Sequence, residues 1–387
     1  MRIAVRKESS VGERRVAVVP ESVKRLAAKR IDVSVESGAG SRAFASDEEY
    51  AGVGARVDAS TEALLADADV VVQIRPPSVA DVRRLKEGSA LVSLLYPLVN
   101  AAVVEALAAR RITALAVDMI PRTTLAQMMD ALSSQATVAG YEAVMMAAAT
   151  LPRFFPMLMT AAGTIAPARV LVLGAGVAGL QAIGTARRLG AVVEAFDVRK
   201  AVKEQVESLG AKFVEVAATE DAQDAGGYAR ELSEAGKRAQ AEAIARHVAK
   251  ADVVICTALI PGRRAPVLVT ADMVRSMRPG SVIVDLAAEQ QGNCELCQPD
   301  KTIVEHGVTI VGATDLTSRM SAHASQMYSR NMEKLLLYVA KEGTWKLDFQ
   351  DEIVAGSVVT HRGEVVHPKL RELAVPAVAV RSAGAGR

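Results

Sequence analysis

Residues 169–199 read RVLVLGAGVAGLQAIGTARRLGAVVEAFDVR. The opening run, 170–173, is short, apolar and rich in β-branched residues, the pattern of a parallel strand buried on both faces. Gly174, Gly176 and Gly179 follow in G-x-G-x-x-G spacing. Apolar residues then recur at helical intervals over 177–189, and Gly190 stands where a helix should stop. A second strand is predicted over 192–196, ending in Asp197, 23 residues beyond Gly174. Strand, glycine turn, helix, strand and terminal acid together form a dinucleotide fingerprint, which a glycine triplet alone would not. The first glycine permits the tight turn, the second lets backbone approach a pyrophosphate, and the third lets the helix pack close to the sheet. The helix N-terminus adds unsatisfied N–H groups and about half a positive charge. A carboxylate at 197 accepts from the ribose 2′-OH of NAD and repels the 2′-phosphate of NADP. Arg199 either softens that exclusion or serves as a surface partner for Asp197.

The rest of the chain bounds what surrounds this unit. With 387 residues, two domains are expected, each large enough for its own core. The net charge is +2, without a basic block or basic–aromatic interleaving, so no nucleic acid partner is expected. Half the residues are hydrophobic but only 3% aromatic, which predicts a core of Ala, Val, Leu and Met. The first residues, MRIAVRKESSVGERR, carry charge where a secretory signal needs an apolar run, and no uncharged stretch reaches the ~20 apolar residues of a membrane span. A soluble, cytoplasmic chain is expected. Three cysteines provide no disulfide framework, and Cys294 and Cys297 form a C-x-x-C without a second pair, so no metal site is expected.

Towards the N-terminus, strands are predicted over 2–5, 16–19, 33–35, 70–74, 91–95 and 113–117, with helices over 20–26 and 100–109 between them. That alternation implies a second parallel sheet with helices on both faces, here without a glycine fingerprint. Residues 118–156 then place Arg122, Gln127, Asp130, Ser133, Ser134 and Gln135 in one loop before a small-residue helix over 138–149 that crosses between domains. By chemistry alone these polar groups could be helix caps. Towards the C-terminus, a helix over 203–209 and strands over 212–216, 253–256, 281–286 and 308–311 continue the nucleotide domain. A polar, Ala-rich insert at 217–241 interrupts it, either as a lid or as a solvated excursion. A helix over 321–340 returns to the first domain, residues 344–367 resemble a hairpin turning at Arg362-Gly363, and the last six residues are expected to fray. The expected architecture is α/β: two Rossmann-like, doubly wound parallel-sheet domains joined by long crossing helices. The first is 1–135 plus 320–387, and the second, 136–319, binds NAD(H).

These residues resemble the alanine dehydrogenase and nicotinamide nucleotide transhydrogenase superfamily over nearly the whole length. GERRVAVVP is similar to its N-terminal signature, and GAGVAGLQA with AFDVR to its nucleotide signature. Within it the chain more closely resembles domain I of proton-translocating transhydrogenases. IPRTTLAQMMDALSSQATVAGY is similar to the segment that holds the nicotinamide there, AGGYA to a mobile loop, TALIPG and VDLAAEQQGNCE to later cofactor-side segments, and TDLTSRM to the return crossing.

The resemblance implies catalytic roles for Gln127, Arg122, Asp130 and Ser133. It implies nucleotide contacts from Arg122, Thr123, Thr124, Gln127, Ser133, Gly174, Gly176, Val177, Ala178, Gly179, Asp197, Val198, Arg199, Gly227, Tyr228, Ala258 and Leu259. Direct hydride transfer from NADH to NADP(H) held on a partner subunit, coupled to proton movement, is the implied activity. A homodimer, a membrane-spanning subunit and an NADP(H)-binding β subunit are the implied partners, with this chain peripheral on the cytoplasmic side of the inner membrane.

A self-sufficient amino-acid dehydrogenase is the competing expectation, and a non-catalytic NAD sensor the third. Where alanine dehydrogenases carry a substrate-site histidine, a catalytic aspartate and a lysine, this chain has Tyr96, Glu289 and Arg75, and its first histidine is His247. Oxidising an amine moves a proton with the hydride and wants a base tuned near neutral pH. Transfer between two nicotinamides needs orientation and exclusion of water instead.

Overall fold

A computed structural model describes residues 1–216, 233–259, 262, 264–341 and 343–372. The chain divides into two compact units, residues 1–135 with 320–387, and residues 136–319. It passes from the first to the second inside one helix, Ala131–Thr150. Among the described residues, no helix is long and apolar enough to cross a membrane.

The second unit is built on the strand Arg169–Leu173. Val170 and Val172 join one buried layer, Leu171 and Leu173 the opposite one. A strand covered by helices on both faces needs this uninterrupted apolar run, and each such side chain contributes about 1.5–3 kcal/mol by burial. Among the described residues its main sheet has seven strands, in the order Lys212–Phe213, Val192–Phe196, Arg169–Leu173, Val253–Cys256, Val282–Asp285, Val308–Gly312, Thr302–Glu305. All neighbours are parallel except the last pair. Strand order therefore reverses between Arg169–Leu173 and Val253–Cys256, and the segments leaving those two strands flank the switch point where such sheets bind ligands.

Among the described residues, the first unit has an eight-stranded sheet: Glu364–Val365, Val358–His361, Thr113–Ala116, Ala90–Ser93, Val70–Val72, Arg2–Val5, Asp32–Glu36, Arg56–Asp58. The last six are parallel to one another, whereas Val358–His361 runs antiparallel to both Thr113–Ala116 and Glu364–Val365. Arg362 and Gly363 turn that hairpin with φ of 49° and 95°. The rest of the segment expected to be hairpin holds a helix instead, Glu352–Ser357, with the Asp351 carboxylate accepting from the Ile353 and Val354 N–H groups.

Residues 16–19 are not the expected strand. Val16, Ala17 and Val18 are buried and Val19 half-buried, without a partner strand because hydroxyls replace the ladder. The helix Ser321–Val339 presents Ser325 and Ser329, whose Oγ atoms accept from the Val16 and Val19 N–H groups, both at 2.9 Å. Tyr50 Oη donates to the Val18 carbonyl at 2.7 Å. Two further expectations change. The strand at 212–216 is only Lys212–Phe213, and the helix expected to begin at 138 begins at Ala131.

Candidate functional site

The glycine turn of the second unit is shaped by what each position must approach. Gly174 has φ of +99°, and a Cβ there would lie 2.7 Å from Thr257 Oγ1. A Cβ on Gly179 would fall 1.8 Å from the Gly174 carbonyl oxygen, so only glycine lets the turn close on the helix behind it. Gly176 differs, because a Cβ there meets no protein atom within 4 Å. It is the N-cap of the helix Val177–Arg188 and has no side-chain capping bond. A helix start bordered by open space, with no side chain serving its N–H groups, is suited to an anionic oxygen. Val177 and Leu259 add exposed apolar surface at the same end of the sheet, while Ala178 and Val198 are half-buried. These features fit a dinucleotide's pyrophosphate and its flanking nucleosides.

Asp197 is buried at the end of Val192–Phe196. Its Oδ1 accepts from Arg199 N and Nε, both at 2.9 Å. Its Oδ2 accepts from Ala175 N at 2.7 Å and Arg199 Nη2 at 2.8 Å. A carboxylate offers about four lone-pair sites, so all are engaged. A ribose hydroxyl can be read here only if a guanidinium bond yields. Arg199 is thus the partner of Asp197, and Asp197 also tethers the glycine turn.

Thr257, Ala258 and Leu259 leave Val253–Cys256 beside the glycines. Thr257 Oγ1 donates to the Gly174 carbonyl at 2.8 Å, and Asn293 Oδ1 accepts from Ala258 N at 3.0 Å. Gly227 and Tyr228 lie outside the described residues, as do most of the 217–241 insert, some of TALIPG and the C-terminal end.

In the first unit, the predicted loop contains a short 3₁₀ turn, Ala126–Met129, before the long helix. Asp130 and Ser133 meet as a cap: Asp130 Oδ1 accepts from Ser133 N at 2.8 Å and Oδ2 from Ser133 Oγ at 2.6 Å. Ser133, Ser134 and Gln135 therefore lie in the helix rather than in the loop. Arg122, Thr124 and Gln127 are exposed or half-buried with Thr123, and Asn331 Nδ2 anchors the turn at the Met128 carbonyl at 2.9 Å.

Sequence reasoning missed a charge network in this unit, buried at Glu13, Arg15 and Gln135 and half-buried at Glu8 and Arg75. Glu13 accepts from Arg15 through both oxygens, at 2.7 and 2.6 Å, and from Arg75 Nε at 2.9 Å. Arg15 Nη1 reaches Gln135 Oε1 at 2.8 Å. Glu8 accepts from the Ile74 and Arg75 N–H groups, yet burial pushes its carboxyl up to about 7. No spacing rule links these positions, and only the charged cluster around GERR hinted at them. Tyr96 sits half-buried at φ 45° with its N–H bonded to Asp118, and Glu289 is exposed.

The cysteines are free. Burial pushes Cys294 up to about 11 and Cys297 to about 12, so both remain thiols at neutral pH. Among the described residues, no group of three acidic, His or Cys side chains could hold a metal.

Two family models match this chain. Residues 4–139 match the alanine dehydrogenase/PNT N-terminal domain, and residues 143–368 match the corresponding C-terminal domain. An NAD(P) transhydrogenase alpha-subunit chain of Rhodospirillum rubrum is 50% identical over 379 residues, covering 96% of this chain and 99% of that protein. The crystal structure of transhydrogenase from Sinorhizobium meliloti superposes with a TM-score of 0.83 at 44% identity, covering 95% of this chain and all of that one. An L-alanine dehydrogenase structure superposes with a TM-score of 0.81 at 26% identity, covering 97% and 99%.

Proposed function

This chain belongs to the alanine dehydrogenase/PNT family, and on that premise we propose that it is the NAD(H)-binding catalytic subunit of a proton-translocating NAD(P) transhydrogenase. The observation that carries the reading is the glycine turn with Gly176 open to solvent, an uncapped helix start, and Asp197 at the end of the next strand. Bound there, NADH supplies a hydride at its nicotinamide for transfer to NADP on a partner subunit.

The chain's own residues bind and orient. Backbone N–H groups at the start of Val177–Arg188 take the pyrophosphate, with Val177 and Ala178 beside it. Asp197 takes the adenosine ribose in exchange for one guanidinium bond from Arg199 and disfavours NADP, with Val198 beside it. Ala258 and Leu259 border the nucleotide, where Leu259 is exposed. Arg122, Thr123, Thr124, Gln127, Asp130 and Ser133 orient the nicotinamide and its ribose. Gln127 is exposed and uncharged. Its amide can donate and accept together without favouring either charge state of a nicotinamide. No base tuned near neutral pH is required, which suits Tyr96 where relatives that oxidise amino acids use histidine.

The working assembly is proposed as a homodimer of this chain with a membrane-spanning subunit and an NADP(H)-binding β subunit, on the cytoplasmic side of the inner membrane. The test mixes the purified chain with an NADP(H)-binding partner domain and follows transfer from NADH to an NADP analogue. Transfer in the mixture and in neither component alone is expected. Robust alanine oxidation by this chain alone would replace the reading with a self-sufficient dehydrogenase.

A further inference from the structure

Resting on the nucleotide reading above, we infer that Asn293 is a positioning residue of that site: its side-chain amide fixes the Ala258 peptide and, through Thr257, the glycine turn. Asn293 is fully buried in the segment after the strand Val282–Asp285. Its Oδ1 accepts from Ala258 N at 3.0 Å, and its Nδ2 donates to the Ala258 carbonyl at 2.9 Å and to the Pro266 carbonyl at 2.8 Å. Both amide donors are used, and the two faces of one residue's backbone are bound by one side chain. Reversing the amide would set its NH₂ against an N–H and its oxygen against two carbonyls, so the hydrogen-bond pattern selects a single orientation.

Asn293 is itself held. Its carbonyl accepts from Leu268 N at 2.8 Å and Val269 N at 3.0 Å. Asp285, in the same sheet, accepts from the following Cys294 N at 2.8 Å. The fixed point is thus the sheet, and the constraint runs outward to the turn. Thr257 N donates to the Leu173 carbonyl at 2.8 Å. Thr257 Oγ1 donates to the Gly174 carbonyl at 2.8 Å and lies 3.1 Å from where a Cβ on Gly179 would be. Asn293, Ala258, Thr257 and Gly174 form one chain of contacts across the topological switch point. The nucleotide surface at Ala258 and Leu259 is set by an amide that need not touch the nucleotide.

Two pairs of variants test this in the purified full chain, each read as an NADH dissociation constant from nicotinamide fluorescence, well below the thermal midpoint. Asn293→Ala removes the three bonds, and about tenfold weaker binding is expected. Asn293→Asp keeps the shape but faces two carbonyls with a carboxylate, so binding is expected to weaken further than in Asn293→Ala. A role in packing alone predicts the reverse order, with the isosteric change the milder. Thr257→Val deletes the hydroxyl at constant shape and is expected to weaken binding about fivefold, while Thr257→Ser is expected to bind within twofold of the unaltered chain. If Asn293→Asp does not fold, Asn293→Ala and the Thr257 pair decide. Unchanged affinity in Asn293→Ala and Thr257→Val, or equal losses in Thr257→Val and Thr257→Ser, would overturn the inference. An unaltered chain that binds no NADH would instead overturn the nucleotide reading.

Discussion

The glycine turn of the second unit and the 122–135 segment of the first differ in what presents chemistry to solvent. At the glycine turn it is backbone: a Cβ on Gly176 would meet no protein atom, and Asp197 and Thr257 hold the peptide in place. In the 122–135 segment it is side chains. Asp130 and Ser133 bind each other, and Thr124 and Gln127 are exposed. A backbone surface leaves a mark in sequence because only glycine meets its steric demands. A side-chain surface uses common residue types whose roles chemistry alone does not separate from helix capping.

The comparison breaks most visibly at the glycines. Gly179→Ala drives a methyl into the Gly174 carbonyl oxygen, and overpacking against backbone is expected to cost about 3 kcal/mol or more and to abolish NADH binding. Gly176→Ala adds the same methyl in open space at φ −75°. Its stability is expected within about 0.5 kcal/mol of the unaltered chain, since nothing in the protein is disturbed, with NADH affinity reduced severalfold or more. Thermal unfolding beside an NADH titration separates the two. Full NADH affinity in Gly176→Ala would remove the pyrophosphate from this turn.

Gln127→Ala tests the side-chain surface. Its exposure predicts an unchanged fold. Misplacing reacting atoms by about 1 Å costs roughly 10²-fold in rate, so transfer to the partner's NADP should fall on that order with NADH affinity nearly intact. Single-turnover transfer in the reconstituted complex measures it. Near-normal transfer would leave this segment with its helix-capping role alone.

Asp197→Ala acts on both affinity and choice. Losing a hydrogen bond to a charged group costs about 1.5–3 kcal/mol, and the Ala175 tether goes with it. Arg199, released from a bidentate pair, becomes available to a 2′-phosphate. NADH affinity should drop about tenfold or more while the preference over NADPH narrows. Titration of both cofactors checks this, and an unchanged ratio would mean that Asp197 does not read the ribose.

How legible each region was in sequence follows from the same contrast. Arg169–Leu173, Val192–Phe196 and Val253–Cys256 were readable because strands buried on both faces must be apolar throughout. Residues 16–19 have the same composition but form no strand, because Ser325 and Ser329, some 310 positions away in the chain, satisfy their N–H groups. The edge strand Thr302–Glu305 was missed, as it is short and largely exposed. Asn293 was visible as a residue but not as a clamp, since its partners at 258 and 266 become neighbours only through the sheet. The Glu8, Glu13, Arg15, Arg75 and Gln135 network has no spacing signature for the same reason.

That network supplies the sharpest contrast with a backbone-built site, because its Glu8 titrates and the expected effect falls on stability rather than on binding or transfer. Burial dominates Glu8 and outweighs the Ile74 and Arg75 N–H bonds, raising it from 4.5 to about 7, with the Glu13 carboxylate adding to the rise. A carboxyl whose folded value lies above its unfolded one keeps a proton that the unfolded chain has already released. Between about 4.5 and about 7 the folded state therefore binds more protons, and stability falls as pH rises through that window. Above it both states are ionised and the penalty is constant. The loss from pH 5 to pH 8 should be about 2–3 kcal/mol. Glu8→Gln keeps an acceptor for one N–H and cannot ionise, so its stability should be flatter over the same range. Denaturant titrations of both chains at the two pH values give the comparison. Equal pH dependence in the two would mean that Glu8 is already ionised at pH 5, held so by its two N–H donors and by Arg15.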